Sequence, residues 1–230
     1  MVEFFDRVGF QYEDVILQCT YRGEPCRKAD FVTTFTEYGK CFTFNQPRDS
    51  SQIKQTLKGG LDNGLELVLN VIQSDHLPIV RDMEDLNMQS GFKIHVHDPA
   101  EPNFVKELGF GVIPGKQTLV SIQEQRITFL PPPWGVCDPG SDKSDYRFFD
   151  DYSTAACRVS CQTEYVTDAC GCRMVHQPKL DTVTNDGDSR YLNTPVCTPA
   201  QYKCAQQNLD YLVAVDNSRC VCKTPCNVLK

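Results

Sequence analysis

The sequence lacks the apolar run that a transmembrane helix requires. Nowhere in its 230 residues do about 18 consecutive apolar residues occur, the least that crosses a bilayer. The first ten residues, MVEFFDRVGF, carry acidic side chains and no apolar stretch, so they do not resemble a secretory signal peptide. Basic residues are also scarce, since 23 Lys and Arg stand against 30 Asp and Glu. The net charge of −7 argues against a nucleic-acid partner.

Residue patterns typical of enzymes are missing as well. No Ser/His/Asp, Cys/His or paired-carboxylate arrangement stands out, and cysteines held in disulfides are poor nucleophiles. We therefore predict no enzymatic activity. Of the four histidines, His95 and His97 alternate along a predicted strand and share one face, as metal ligands could. Histidines in such positions more often have surface or structural roles, so no metal site is predicted.

Cysteine is what the sequence has in abundance. It contains 13, most of them between Cys137 and Cys226. Cytosolic proteins keep their thiols reduced, so this density indicates either metal sites or an oxidising compartment. The closest pairs are spaced more tightly than the cysteine pairs typical of zinc sites, which favours disulfides. Six disulfides would leave one cysteine over. Because neither an export signal nor an anchor accompanies them, we expect the sequence to be a fragment of a longer extracellular protein.

Spacing suggests how the cysteines of the second half pair. Cys157 and Cys161 are four residues apart and would share a helix face, whereas Cys220 and Cys222 are two apart and would share a face of an extended segment. Laid antiparallel, these faces would pair Cys157 with Cys222 and Cys161 with Cys220. Cys137–Cys226 would extend the same ladder, and Cys170–Cys204 and Cys172–Cys197 would then tie the two helices together. Spacing does not decide whether the ladder only stabilises a small helical module or forms a rigid element that transmits force from a ligand site.

Hydrophobic periodicity and turn residues predict an α+β fold. Ser153 and Thr198 are predicted helix N-caps, and Pro199 suits the first position of the second of these helices. Prolines from Pro131 onward end the last predicted strand. The predicted helices cover 4–19, 28–36, 152–170 and 198–213, and the predicted strands cover 40–45, 65–72, 92–97 and 118–130.

Seven segments of the chain stand out as a set: YGKCFTFN (38–45), KGGLDNGLE (58–66), LGFGVIPG (108–115), QEQR (123–126), LPPPWG (130–135), CGCRMVH (170–176) and CKTPC (222–226). In this order they resemble the extracellular region of acid-sensing ion channels, which belong to the degenerin/epithelial sodium channel superfamily. Their order and spacing hold over nearly the whole chain, apart from an insert at 179–194.

The resemblance implies a clenched-hand ectodomain. Residues 1–36 and 75–90 would belong to a disulfide-rich finger, residues 37–74 and 91–136 to a β-ball and a partial palm sheet, and residues 137–226 to a two-helix thumb. The resemblance supports the cysteine ladder and a local Cys19–Cys26 bridge. The family pairs the cysteine of the Gly-Lys-Cys motif with one further upstream, so Cys41 would be the unpaired cysteine here.

The resemblance also implies a proton-sensing pocket between finger and thumb. Carboxylates forced close together cannot all stay ionised, so such a cluster takes up protons as pH falls. Glu66, Glu84, Asp85 and Asp210 match acidic positions of the family. A second thumb acid of the family is Gln206 here, which cannot titrate.

Two more functional sites, one for chloride binding and one for coupling to the membrane, follow from the resemblance. Lys58 and Arg158 match a chloride site in which the lysine comes from a neighbouring subunit, although a glutamate of that site is Gln162 here. Apart from this chloride ion no cofactor is expected. Trp134 matches an aromatic residue that couples the thumb to the first membrane helix.

The predicted function is the extracellular sensing fragment of a trimeric, ligand-gated sodium channel of the plasma membrane, with proton gating as the first hypothesis. The alternatives are a peptide-gated channel of the same superfamily and a soluble, secreted cysteine-rich binding protein. The expected partners are protons, permeant sodium ions, channel subunits in a homo- or heterotrimer, and the membrane through helices outside this fragment.

Overall fold

The computed structural model describes residues 1–46, 53–56, 58–60, 62–72, 74, 90–99, 101–140, 143–180, 191–215 and 219–229. Within these ranges, no helix is both long and apolar enough to pass through a bilayer. The chain folds into two compact units. The N-terminal unit comprises Asp6–Pro99 and Val105–Val120, and the C-terminal unit comprises Met1–Phe5, Ala100–Phe104 and Ser121–Lys230.

Short antiparallel strands build the N-terminal unit. The strands are β1 (Ile16–Tyr21), β2 (Glu24–Pro25), β3 (Phe31–Thr36), β4 (Gly39–Phe44), β5 (Leu65–Leu69), β6 (Phe92–Ile94) and β7 (Phe110–Val112). A three-stranded sheet has the order β2–β1–β5, and β3–β4 and β6–β7 form two separate pairs. The helices are α1 (Val2–Val8, which starts in the C-terminal unit), α2 (Tyr12–Val15), α3 (Val105–Leu108) and a 3-10 turn at Lys28–Asp30.

The core of the N-terminal unit lies between α2, β1 and the β3–β4 hairpin. Its buried members are Val15, Ile16, Cys19 and Phe31, and aromatic and aliphatic side chains of β4 and β5 pack around them. Burying such side chains gives most of the favourable free energy of folding. The Cys19–Cys26 disulfide ties β1 to the residue that follows β2.

Two long helices dominate the described part of the C-terminal unit: α4 (Thr154–Cys170) and α5 (Pro199–Ala214). The Ser153 side chain accepts a hydrogen bond from the Ala156 amide at 3.0 Å, and α4 ends at Gly171, whose φ of 65° suits glycine. Ahead of α5, the Thr198 amide donates to the Gln201 side chain at 3.1 Å. Both helix predictions for this half of the chain are confirmed. The unit also contains a 3-10 turn (Lys143–Tyr146) and the antiparallel pair β8 (Arg126–Thr128) and β9 (Asn227–Leu229).

Several predicted elements of the first half and the middle of the chain are wrong in extent or type. The predicted strands at 65–72 and 92–97 end earlier, at Leu69 and Ile94. The predicted helix at 4–19 is two short helices followed by strand β1, and the predicted helix at 28–36 is a 3-10 turn followed by strand β3. In both places the strand is stabilised by hydrogen bonds to a partner, β5 or β4, which overrides local helical periodicity. The predicted strand at 118–130 shortens to β8, because only there does a partner strand, β9, run alongside.

The expected α+β, disulfide-rich architecture is present. The division into finger, β-ball, palm and thumb stays a prediction, and residues 75–89 of the expected finger lie outside the described residues. The insert at 179–194 is described only at its ends, where Leu180 and Tyr191 are buried.

Candidate functional site

The ladder of cysteines is the strongest feature of the C-terminal unit. Cys157 and Cys161, one turn apart on α4, bond to Cys222 and Cys220 with Cα separations of 5.9 and 5.8 Å. The antiparallel pairing deduced from helical and extended spacing is therefore present. The other predicted bridges are present too, namely Cys137–Cys226, Cys170–Cys204, Cys172–Cys197 and, in the N-terminal unit, Cys19–Cys26.

The Cys170–Cys204 and Cys172–Cys197 bridges lie beside a small apolar core between α4 and α5. Val166, Cys172 and Ala205 are fully buried there, and Met174 and Cys197 complete the cluster. Close packing of this kind leaves few alternative arrangements for the two helices. Covalent and apolar contacts together make the helix pair a stiff element.

A stacked aromatic pair joins the same two helices. The rings of Tyr165 on α4 and Tyr211 on α5 are nearly parallel, with centroids 6.4 Å apart. The Arg219 guanidinium lies 5.7 Å from the first ring centroid and 6.0 Å from the second. Such cation–π contacts are favourable because each ring face carries partial negative charge.

A buried ion pair, which the sequence did not reveal, fixes the 3-10 turn against α4. Arg147 Nε lies 2.5 Å from Glu164 Oε1, and the arginine side chain is only 7% exposed. The guanidinium also lies 5.2 Å from the Tyr191 ring, whose hydroxyl donates to Asp168 at 3.2 Å. These contacts anchor the end of the insert on α4. Residues 17 to 44 positions apart meet here, and no local motif marks them.

The predicted proton-sensing residues fall into three groups. Glu84 and Asp85 lie outside the described residues. Glu66 is exposed on β5, where the Thr20 hydroxyl donates to its carboxylate at 3.3 Å. Asp210 is exposed on α5 and accepts a hydrogen bond from the Gln206 side-chain amide at 2.9 Å. The amide of Gln206 therefore occupies the place where the resemblance expects a second carboxyl group.

The residues predicted for chloride binding and membrane coupling are all accessible. Lys58 lies in an exposed loop before β5, and Arg158 lies exposed on α4. Trp134, in the turn after the prolines, is 79% exposed. An indole this exposed is uncommon, since tryptophan is on average a well-buried residue.

Cys41 is the free thiol of the described chain, on β4 opposite Thr34. It is half-buried, and its sulfur lies 3.3 Å from the Thr36 hydroxyl. Burial raises the pKa of the Cys41 thiol, and this outweighs the lowering by the Thr36 hydrogen bond. The thiol is therefore less ionised at neutral pH than an ordinary cysteine, and less reactive.

The two neighbouring histidines stack on one another. The His95 and His97 ring centroids are 4.9 Å apart. Burial, followed by the nearby His97, lowers the pKa of His95 below its ordinary value of 6.5. In the described part of the chain, no group of three or more His, Cys, Asp or Glu side chains is arranged to hold a metal ion.

A mixed α/β chain that is stapled by six disulfides is typical of an extracellular protein module. All of its residues, 1–230, match the family model described as amiloride-sensitive sodium channel. The chain belongs to this family. That membership agrees with the prediction that it is not an enzyme.

Curated relatives with the same chain-wide similarity carry ion-channel names. The chain is 46% identical over 231 residues to "Acid-sensing ion channel 1" of Gallus gallus, covering 100% of this chain and 41% of that protein. It is 45% identical to "Acid-sensing ion channel 2" of Homo sapiens, with 100% and 42% covered, and 45% identical to "Acid-sensing ion channel 1C" of Danio rerio, with 100% and 41% covered. The chain thus spans about two fifths of the length of these relatives.

Proposed function

We propose that the chain is the extracellular sensing part of a plasma-membrane sodium channel subunit that assembles as a trimer and opens when protons bind. The observation that carries this proposal is the similarity of the whole chain, at 45–46% identity, to proteins named acid-sensing ion channels. The disulfide ladder supports it, because an extracellular force-bearing element needs stiffness in an oxidising compartment.

Protons would act through carboxylates that gating brings together. A proton that binds one conformation more tightly than the other shifts the population toward that conformation. Glu84 and Asp85 would come from the finger, Glu66 from the palm side and Asp210 from the thumb. Bringing these carboxylates closer together would raise their proton affinity, because like charges at short distance disfavour full ionisation.

The stiff helix pair would carry this local event to the gate. Two helices joined by disulfides and a packed core move as one body, so a shift at Asp210 displaces the whole element. Trp134 would then contact the first membrane helix. Lys58 and Arg158 of adjacent subunits would hold a chloride ion, since both bring positive charge to an exposed surface.

Currents through the full-length channel that contains this chain test the proposal. Changing Glu84→Gln together with Asp85→Asn removes two titrating groups, so the half-activation point should move to lower pH. Asp151→Asn, at an exposed acid outside the predicted pocket, is the matched control and should leave it in place. An activation curve that is the same in the double variant and the parent would rule out the pocket.

Gln206 offers a second test in the opposite direction. Gln206→Glu places a titrating carboxyl group one helical turn from Asp210, so half-activation should move to higher pH by a few tenths of a unit. Gln207→Glu adds the same charge to an adjacent, exposed position of α5 and should have a smaller effect. Equal shifts in the two variants would indicate a general charge effect without a defined pocket.

The same glutamine favours one alternative, a peptide-gated channel of the superfamily. A non-titrating amide bonded to Asp210 leaves fewer groups for protons to act on. Currents evoked by peptides at constant pH, with none on acidification, would support that alternative. Export of the natural product into the medium without any current would instead support a secreted binding protein.

A further inference from the structure

Two histidines lie side by side just beyond strand β6. His95 and His97 are two residues apart, and their side chains lie on the same side of the backbone, where the two rings meet. Their rings are within 16° of parallel, with centroids 4.9 Å apart, and both residues are half-buried. Val96 between them is 50% exposed. The pair therefore forms a compact imidazole cluster that solvent can reach.

The hydrogen bonds around the pair leave ring nitrogens available. His97 Nδ1 lies 2.8 Å from the Asp98 carbonyl oxygen, so this nitrogen carries the hydrogen in the neutral ring and donates it. The Nε2 lone pair of His97 is then free to bind a Lewis acid. A backbone carbonyl that accepts from the second nitrogen is the usual support of a metal-binding histidine.

His95 is not held in place by a hydrogen bond. Its Nδ1 is buried and has no partner in the described ranges, an arrangement that costs free energy in a folded protein. Because rotation about χ2 of histidine meets a broad, shallow potential, the ring can turn out of the stack and bring a nitrogen toward solvent. The unpaired nitrogen favours such a rotation whenever a better partner is present.

We propose that His95 and His97 together bind one divalent transition-metal ion of the Cu²⁺ or Zn²⁺ type, with water completing its coordination shell. Imidazole nitrogen prefers these ions over Ca²⁺ and Mg²⁺, which take oxygen ligands. At metal–nitrogen distances of about 2.0–2.1 Å, two ligand nitrogens lie roughly 3.3 Å apart. Rings whose centroids already lie 4.9 Å apart need only side-chain rotation to bring two of their nitrogens to that separation.

A site with two protein ligands would bind and release its ion readily. Structural zinc sites use four protein ligands, and this cluster offers two, so the fold does not depend on the metal. The inference does not depend on the proposed channel activity, because it concerns binding by this chain alone.

The test is a titration of the 230-residue protein with Cu²⁺, the ion that nitrogen sites bind most strongly. Cys41 is alkylated first, so that its thiol cannot contribute. Calorimetry should give one equivalent of bound ion, and electron paramagnetic resonance should show two coordinated nitrogens. His95→Gln and His97→Gln should each weaken binding at least tenfold. His176→Gln, in the C-terminal unit, is the matched control and should bind as the parent does.

A measurement on the unmodified sequence guards against variants that fail to fold. Sub-stoichiometric Cu²⁺ should broaden the ring-proton resonances of His95 and His97 selectively, before those of His176. Unchanged affinity in His97→Gln, coordination by a single nitrogen, or uniform broadening of all histidines would each overturn the proposal.

Discussion

Removing one rung of the cysteine ladder should cost much less stability than its long loop suggests. Cys161 and Cys220 are 59 positions apart, and closing such a loop alone would stabilise the protein by about 4 kcal/mol through the entropy of the unfolded chain. The neighbouring Cys157–Cys222 bridge already brings these segments together. With it intact, the loop that the second bridge closes contains about 8 residues, worth roughly 2.5 kcal/mol.

The two rungs should therefore be coupled. Removing either pair alone, with alanine at both positions, should cost about 2.5 kcal/mol, because the other rung still limits the unfolded chain. When both rungs are removed, Cys137–Cys226 is the nearest remaining bridge. The second removal then opens a loop of about 26 residues, and closing that loop is worth roughly 3.5 kcal/mol. Removing both should thus cost about 6 kcal/mol, about 1 kcal/mol more than the sum of the single effects.

Guanidinium unfolding of the non-reduced protein, with Cys41 alkylated to prevent exchange, measures these differences. Circular dichroism at helix wavelengths reports on α4 and α5, the two longest helices of the described chain, and hence on the unit that contains the ladder. Single losses near 4 kcal/mol that add without coupling would refute the reasoning, since each bridge would then act as an independent loop closure.

Three further predictions concern single side chains. Alkylation of the non-reduced, folded protein should label Cys41 alone, and slowly at neutral pH, because burial raises its pKa; labelling at several cysteines would contradict the pairing. Glu164→Gln should lower the free energy of unfolding by about 2 kcal/mol, because the buried Arg147 guanidinium loses this carboxylate. The control Glu124→Gln, in an exposed ion pair, should lower it by less than about 0.5 kcal/mol. Equal losses in the two variants would refute this prediction. Asp30→Asn should cost about 1 kcal/mol at neutral pH. Bonds from Lys54 and the Arg27 amide lower the pKa of Asp30, so its contribution is present above the ordinary value of 3.8 and is lost as pH falls through the lower folded value; a difference that grows on acidification would be the wrong sign.

Two rungs of the cysteine ladder could be predicted because the spacing of their cysteines depends on short-range geometry, and the family resemblance supported the remaining pairs. Cys157 and Cys161 share a face of any α-helix, and Cys220 and Cys222 share a face of any extended segment, wherever those elements lie. The cap of α4 could be predicted for the same reason, since the Ser153 side chain accepts from the Ala156 amide three residues on, whereas ahead of α5 it is the Gln201 side chain that accepts from the Thr198 amide.

Strands β1 and β3 could not be predicted from periodicity. Helical spacing of apolar residues and the alternating pattern of a strand overlap in short segments, and the partner decides between them. Ile16–Tyr21 pairs with Leu65–Leu69, more than 40 positions further along the chain. One signal was present for β3, since Val32, Thr33 and Thr34 are β-branched residues that favour strands.

The sequence by itself determined that this protein belongs in an oxidising compartment, which family it resembles and how its cysteine ladder pairs, because all three depend on residue type and local spacing. Only the tertiary structure decided that Arg147 pairs with Glu164, that Gln206 donates to Asp210, and that His95 and His97 stack with a buried nitrogen unpaired. The orientation of a side chain and its burial depend on everything packed around it. Residues distant in sequence supply most of that environment.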